Sequence, residues 1–204
     1  MAVIDYYFYS ASPFTYLGHE AIQAVADKHS CELNFKPVDL FAIWAESGAV
    51  PPAKRPPVRQ RMRLVELQRL ALHRGLPINR QPKFFPVDAT LADCTILAVL
   101  DSGADARSYM ASVFQAVWVN ELNIADEVIL RGLLSDSGHD ASAIMEASRN
   151  PEIAAKRTQN AEDAIAADSP GVPAYVLNGE CFWGQDRVEL LDEALTSGRA
   201  PFKP

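Results

Sequence analysis

Ser12 has the side chain and the setting best suited to chemistry in this chain. It stands in Ser12-Pro13-Phe14-Thr15, where an apolar run ends and a helical pattern begins. Val3, Ile4, Tyr6, Tyr7, Phe8 and Tyr9 are strand formers. Phe14, Leu17, Ala21, Ile22, Val25 and Ala26 then recur at three- and four-residue spacing, the period of one helix face. Pro13 suits a first helical turn, and Ser12 before it suits an N-cap. A hydroxyl at the positive end of a helix dipole suits a bound anion or thiolate. Taken alone, the stretch reads first as a capped helix start and nothing more.

A second group is cationic. Lys54, Arg55, Arg59, Arg61 and Arg63 follow one another closely in a chain whose net charge is −7. Such a patch suits a carboxylate; it suits a solvated loop entering a helix equally well. Cys31, Cys94 and Cys181 are scattered, with no Cys-x-x-Cys pair and no zinc spacing, as in a reducing compartment. Disulfide exchange needs an attacking thiolate and a resolving thiol, and Ser12 and Thr15 supply neither. His19, His29, His73 and His139 read as surface or boundary residues with no metal role, and no Ser-His-Asp motif is found.

The elements that must position Ser12 follow from the pattern. Residues 2–9 are a strand, 13–29 a helix and 31–37 a second strand, which makes a βαβ unit with a parallel pair. Residues 38–50 read as a loop and short helix, and the prolines at 51, 52, 56 and 57 exclude helix and favour an extended path. Helices are expected over 58–74, 88–100, 106–120, 126–134, 141–148 and 150–167, with the Pro77, Pro82 and Pro86 segment as a loop. Strands return at 174–177 and 181–183, joined by an Asn178-Gly179 turn. Asp186 is expected to cap a last helix. The fold class is therefore α/β: a thioredoxin-like four-stranded mixed sheet, residues 1–40 plus 168–204, with a large all-helical insertion over 41–167.

At 204 residues, 49% hydrophobic and 22% charged, the composition is that of a globular chain. Its acidic balance argues against nucleic acid, and no apolar run is long enough to span a membrane. The chain enters a strand without a leader pattern, so a cytoplasmic location is expected.

Gly171-Val172-Pro173 stands just before the third strand, where a proline removes a ladder donor. Together with Ser12-Pro13-Phe14-Thr15-Tyr16-Leu17, Phe182-Trp183-Gly184-Gln185-Asp186-Arg187, the Lys54/Arg55 segment and Val65-Glu66-Leu67-Gln68-Arg69, it gives a resemblance that spans the chain in order. The chain resembles the DsbA-like glutathione enzymes: the kappa-class glutathione transferases and, more closely, the 2-hydroxychromene-2-carboxylate isomerases. The resemblance implies glutathione as cofactor, a small aromatic substrate and a homodimer. It implies that Ser12 hydrogen-bonds the glutathione sulfur and that Val172 pairs with the cysteinyl backbone beside a cis Pro173. Gln185 and Asp186 would hold the γ-glutamyl end, and Lys54, Arg55 or Arg59 a carboxylate. Relatives often carry an Asn in the proline-rich loop, where this chain has Ala49 and Ala53. The implied activity is glutathione-dependent cis-trans isomerisation, with a kappa-type transferase or peroxidase, or a non-catalytic glutathione-binding protein, as alternatives. Phe14, Trp44, Phe84, Phe85 and Trp183 are candidates for an aromatic pocket, although aromatic residues dominate cores and each reads first as core.

Overall fold

The computed structural model describes residues 1–203. In chain order the elements are β1 (Val3–Phe8), α1 (Pro13–Lys28), β2 (Glu32–Pro37), α2 (Leu40–Ser47), α3 (Pro57–Arg74), α4 (Thr90–Asp101), α5 (Arg107–Trp118), α6 (Glu127–Asp136), α7 (Ala141–Ala147), α8 (Pro151–Ala166), β3 (Ala174–Leu177), β4 (Glu180–Trp183) and α9 (Val188–Ser197). Short 3-10 turns cover Pro52–Lys54 and Gln185–Arg187.

The four strands form one sheet in the order β2-β1-β3-β4. β1 runs parallel to β2, with Ile4 opposite Leu33, and antiparallel to β3, with Tyr6 opposite Tyr175. Asn178 and Gly179 both take positive φ, the geometry of the tight turn that joins β3 to β4. This is the expected thioredoxin-type mixed sheet, with helices α2 to α8 all lying between β2 and β3.

The sheet and the inserted helices share a main core, with a second, smaller cluster of Tyr7, Val38, Ile43, Ala161, Ala164, Ala174 and Val176. Tyr6, Phe8 and Tyr175 from the strands join Phe114 and Trp118 from α5, Ile96 from α4 and Leu67 from α3, each essentially without solvent exposure. Burying each such side chain contributes roughly 1.5–3 kcal/mol. Among the described residues no helix is long and apolar enough to cross a membrane.

Three expectations need correction. His19 is buried, not a boundary residue: it packs edge-on against Phe114 with ring centroids 4.9 Å apart. Burial pushes its pKa down to about 4, because an imidazolium there would lose its hydration. Asp186 does not cap the last helix, since the 3-10 turn Gln185–Arg187 intervenes and α9 starts from Arg187 without a side-chain cap. The proline-rich segment is not wholly extended, because Pro52–Lys54 closes one 3-10 turn through Lys54 N–H donating to the Pro51 carbonyl at 2.9 Å.

Candidate active site

Ser12 sits where β1 hands over to α1. Its backbone is extended (φ −81°, ψ 125°), Pro13 is the first helical residue, and Ser12 Oγ accepts the Thr15 backbone N–H at 3.2 Å. The N-cap expectation therefore holds. Capping occupies one acceptor position of the hydroxyl and leaves its proton to be donated elsewhere. Ser12 also lines a cavity of about 440 Å³, so the cap and the anion-facing roles are compatible in one residue.

The junction is held from behind. Ser10 donates its backbone N–H and its hydroxyl to Asp93 Oδ1 at 3.1 and 2.6 Å, and Arg157 Nε donates to Asp93 Oδ2 at 3.0 Å. Asp93 lies on α4 and Arg157 on α8, so the inserted helices clamp the loop that carries Ser12. Burial pushes Asp93 up to about 6 against the pull of Arg157 and Ser10, while the same carboxylate raises Arg157. Tyr9 adds a further tie by donating its hydroxyl to the Val87 carbonyl at 3.1 Å. None of these partners belongs to a recognised motif. The available signal was an aspartate inside the apolar run Leu91-Ala92-Asp93-Cys94-Thr95-Ile96, which must find a partner if that helix is buried.

Gly171 and Val172 line the same cavity as Ser12, and the Val172–Pro173 peptide is cis, as the resemblance implies. The β1–β3 ladder begins at Ala174, so Val172, which lines the cavity, precedes the paired residues. The Phe85–Pro86 peptide is also cis and lines the same cavity, with no forewarning in the sequence.

The cavity is aromatic on several sides and cationic on one. Phe14, Trp44, Phe85 and Trp183 all line it; Phe84 does not. Arg55, Arg59 and Arg63 line it from the α3 side, whereas Lys54 stays outside. Ala49 is on the wall and Ala53 is not. Among the described residues none of the three arginines has a carboxylate within ion-pair distance, although most other arginines of the chain do. Arg63 lies over the Phe85 ring at 5.3 Å and the Trp118 ring at 6.0 Å, and Arg55 over Trp44 at 5.9 Å. Burial, then the charge of Arg55, pushes Arg63 down to about 10, so it remains a cation at neutral pH.

The structure does not bring Gln185 and Asp186 to the cavity wall. Gln185 is buried, with Arg74 Nε donating to its Oε1 at 3.1 Å and another Arg74 nitrogen to its carbonyl at 2.9 Å. Asp186 is exposed and pairs with the neighbouring Arg187 at 2.6 Å. Trp183 lines the cavity, whereas these two residues, which follow it in the chain, do not.

A four-stranded mixed sheet with a helical insertion, carrying serine and not cysteine where β1 meets α1, is a thioredoxin-type fold. The chain belongs to the DSBA-like thioredoxin domain family, whose model matches residues 3–196. It is 27% identical over 198 residues to a 2-hydroxychromene-2-carboxylate isomerase of Sphingobium xenophagum, covering 94% of this chain and 97% of that protein. It is 25% identical over 206 residues to glutathione S-transferase kappa 1 of Caenorhabditis elegans, covering 94% and 90% respectively. A solved 2-hydroxychromene-2-carboxylate isomerase structure superposes with a TM-score of 0.80 at 25% identity, covering 96% of this chain and 95% of that one.

Proposed function

We propose that the protein is a glutathione-dependent cis-trans isomerase that interconverts 2-hydroxychromene-2-carboxylate and trans-o-hydroxybenzylidenepyruvate in aromatic catabolism. The observation that carries this reading is one cavity lined by a helix-terminal hydroxyl, an unladdered backbone segment, aromatic rings and three arginines without acidic partners. That donor set fits glutathione: a hydroxyl for the sulfur, free backbone at Val172 for the cysteinyl peptide, and cations for carboxylates. The relatives named isomerase, matched along nearly their whole length, support the same reading.

Bound there, glutathione would supply a thiolate nucleophile for reversible addition at a conjugated carbon, the chemistry that frees a double bond to rotate. Ser12 donates its hydroxyl proton to the sulfur, and the N-terminus of α1 adds a field that favours the thiolate over the thiol. Arg59, exposed at the mouth, and Arg55 hold a glutathione carboxylate in place of the Asn that relatives carry. Asp186, exposed beyond Trp183, takes the ammonium end, while Gln185 keeps the turn beneath it in place. Phe14, Trp44, Phe85 and Trp183 cover the aromatic part of the substrate and displace water from it. A kappa-type transferase is the second reading, favoured by the similarity to glutathione S-transferase kappa 1.

The test is the ultraviolet absorbance of trans-o-hydroxybenzylidenepyruvate on adding the protein, with and without reduced glutathione. Rapid interconversion only with glutathione is the expected result. No change with either, alongside conjugation of glutathione to a neutral electrophile, refutes the isomerase reading in favour of the transferase.

A further inference from the structure

The three arginines of the cavity are not equivalent. Arg59 and Arg63 are one turn apart on α3, about 6 Å along the axis. Arg59 is exposed, whereas Arg63 is half-buried beneath the faces of Phe85 and Trp118, the latter without solvent exposure. Arg55 lies between them electrostatically, since its charge disfavours that of Arg63 and is itself disfavoured by Arg59. Three like charges held around one cavity, with no acid to offset them, favour more than one anionic group. A guanidinium is a planar fork that matches a carboxylate with two parallel hydrogen bonds, and the aromatic rings that Arg63 lies over limit its freedom.

We infer that Arg63 is a specificity-determining residue: an inner anion subsite that binds the carboxylate of a conjugated aryl 2-oxo acid, separate from the outer Arg55/Arg59 subsite. This deepens the isomerase reading and rests on it for the substrate's place in the cavity. The aromatic body of such an acid lies against Phe85, which lines the cavity beside Arg63, so the acid and its aryl group are read together. A neutral electrophile of the same shape leaves Arg63 desolvated without a partner, and the site rejects it on that account. Arg63 therefore also disfavours the neutral electrophiles that a general transferase accepts.

The test is direct binding without glutathione, so that nothing turns over. trans-Benzylidenepyruvate and benzylideneacetone share one carbon frame and differ in carboxylate against methyl. Calorimetric titration of the wild-type protein is expected to favour the acid by roughly ten- to a hundredfold, the range of a charge-assisted hydrogen bond. Arg63→Met, which keeps the apolar stem over the rings, is expected to abolish that preference by weakening the acid alone. Arg63→Lys is expected to keep part of it, because the charge remains but the fork is lost. Arg59→Met is expected to leave the preference intact in the same titration. An unchanged acid-to-ketone ratio in Arg63→Met, with ketone binding and the thermal melt intact, overturns the proposal and leaves Arg63 a packing residue; loss of the ratio in Arg59→Met instead overturns it in favour of the outer subsite. Because this titration omits glutathione, acid selectivity without glutathione-dependent turnover refutes the isomerase reading and upholds the subsite. Turnover without selectivity does the reverse.

Discussion

Replacing Ser12 with alanine isolates the hydroxyl on which the mechanism depends. Ser12→Ala removes the acceptor for Thr15 N–H, at 3.2 Å, and the proton available to a bound sulfur. Loss of the cap costs about 1 kcal/mol of stability. For a chain of this length that lowers Tm by roughly 2–4 °C, so the fold survives. Loss of a hydrogen bond to a charged sulfur costs about 1.5–3 kcal/mol of thiolate stabilisation, which is about one to two units of thiol pKa. Starting from an ordinary thiol near 8.5, the wild-type site holds the bound thiol about that far below it, and the variant returns it most of the way. At pH 6.5 the variant's kcat is therefore expected to fall by about ten- to a hundredfold, and at pH 9 the two proteins converge. The assay is initial isomerisation rate against pH at saturating glutathione, together with ultraviolet titration of the bound thiolate. A superimposable rate profile and an unmoved thiolate titration would falsify the assigned role. A rate lost equally at every pH would assign Ser12 to placement of the sulfur and not to its ionisation.

Three further outcomes follow from the residues behind the site. Asp93 takes a proton near pH 6 when folded, against 3.8 ordinarily, so its contribution to stability is gained as the pH falls through 6 and is absent above. Asp93→Asn leaves the buried Arg157 guanidinium without its carboxylate and is thus expected to lower stability at pH 7 by about 3–5 kcal/mol, with a smaller difference at pH 4, where the wild-type carboxyl is itself protonated. It is expected to lower kcat about tenfold because Ser10 loses a charged acceptor, and urea unfolding at the two pH values with kcat at pH 7 checks both parts. His19 has the opposite sign: its folded value of about 4 lies below the ordinary 6.5, so stability is lost as the pH falls across that window, by about 3 kcal/mol. His19→Phe should remove this loss in the same urea series, and an unchanged acid sensitivity would show that His19 is not buried as a neutral ring. Gly18→Ala places a Cβ 2.7 Å from Gln185 Cβ and 2.7 Å from the Tyr175 hydroxyl. It should cost about 1–3 kcal/mol by overpacking, read as a lower melting temperature, and an unchanged Tm would refute the close approach of α1 to the Gln185 turn.

The βαβ start, the helical insertion and the closing hairpin were legible from the sequence, because each rests on short-range signals. The strand-former run before Ser12, the helical spacing after it and the Asn178-Gly179 turn act within a few residues of one another. Ser12 as a cap was legible for the same reason, and the resemblance added the expectation of a cis peptide at Val172–Pro173. Which distant residues share a wall depended on the packing of the whole chain. The basic stretch from Lys54 to Arg63 offered five cations, and helical phase together with the turn before α3 put Arg55, Arg59 and Arg63 on the cavity and left Lys54 and Arg61 off it. Gln185 looked free to bind a ligand until Arg74, more than a hundred positions earlier, was found to occupy it. Asp93 and Arg157 carried no motif, and their function as a clamp on the Ser12 loop exists only because α4 and α8 pack together behind it. A buried charge is stable only where its partner arrives, and that partner is fixed by packing over the whole chain, not by neighbours in sequence.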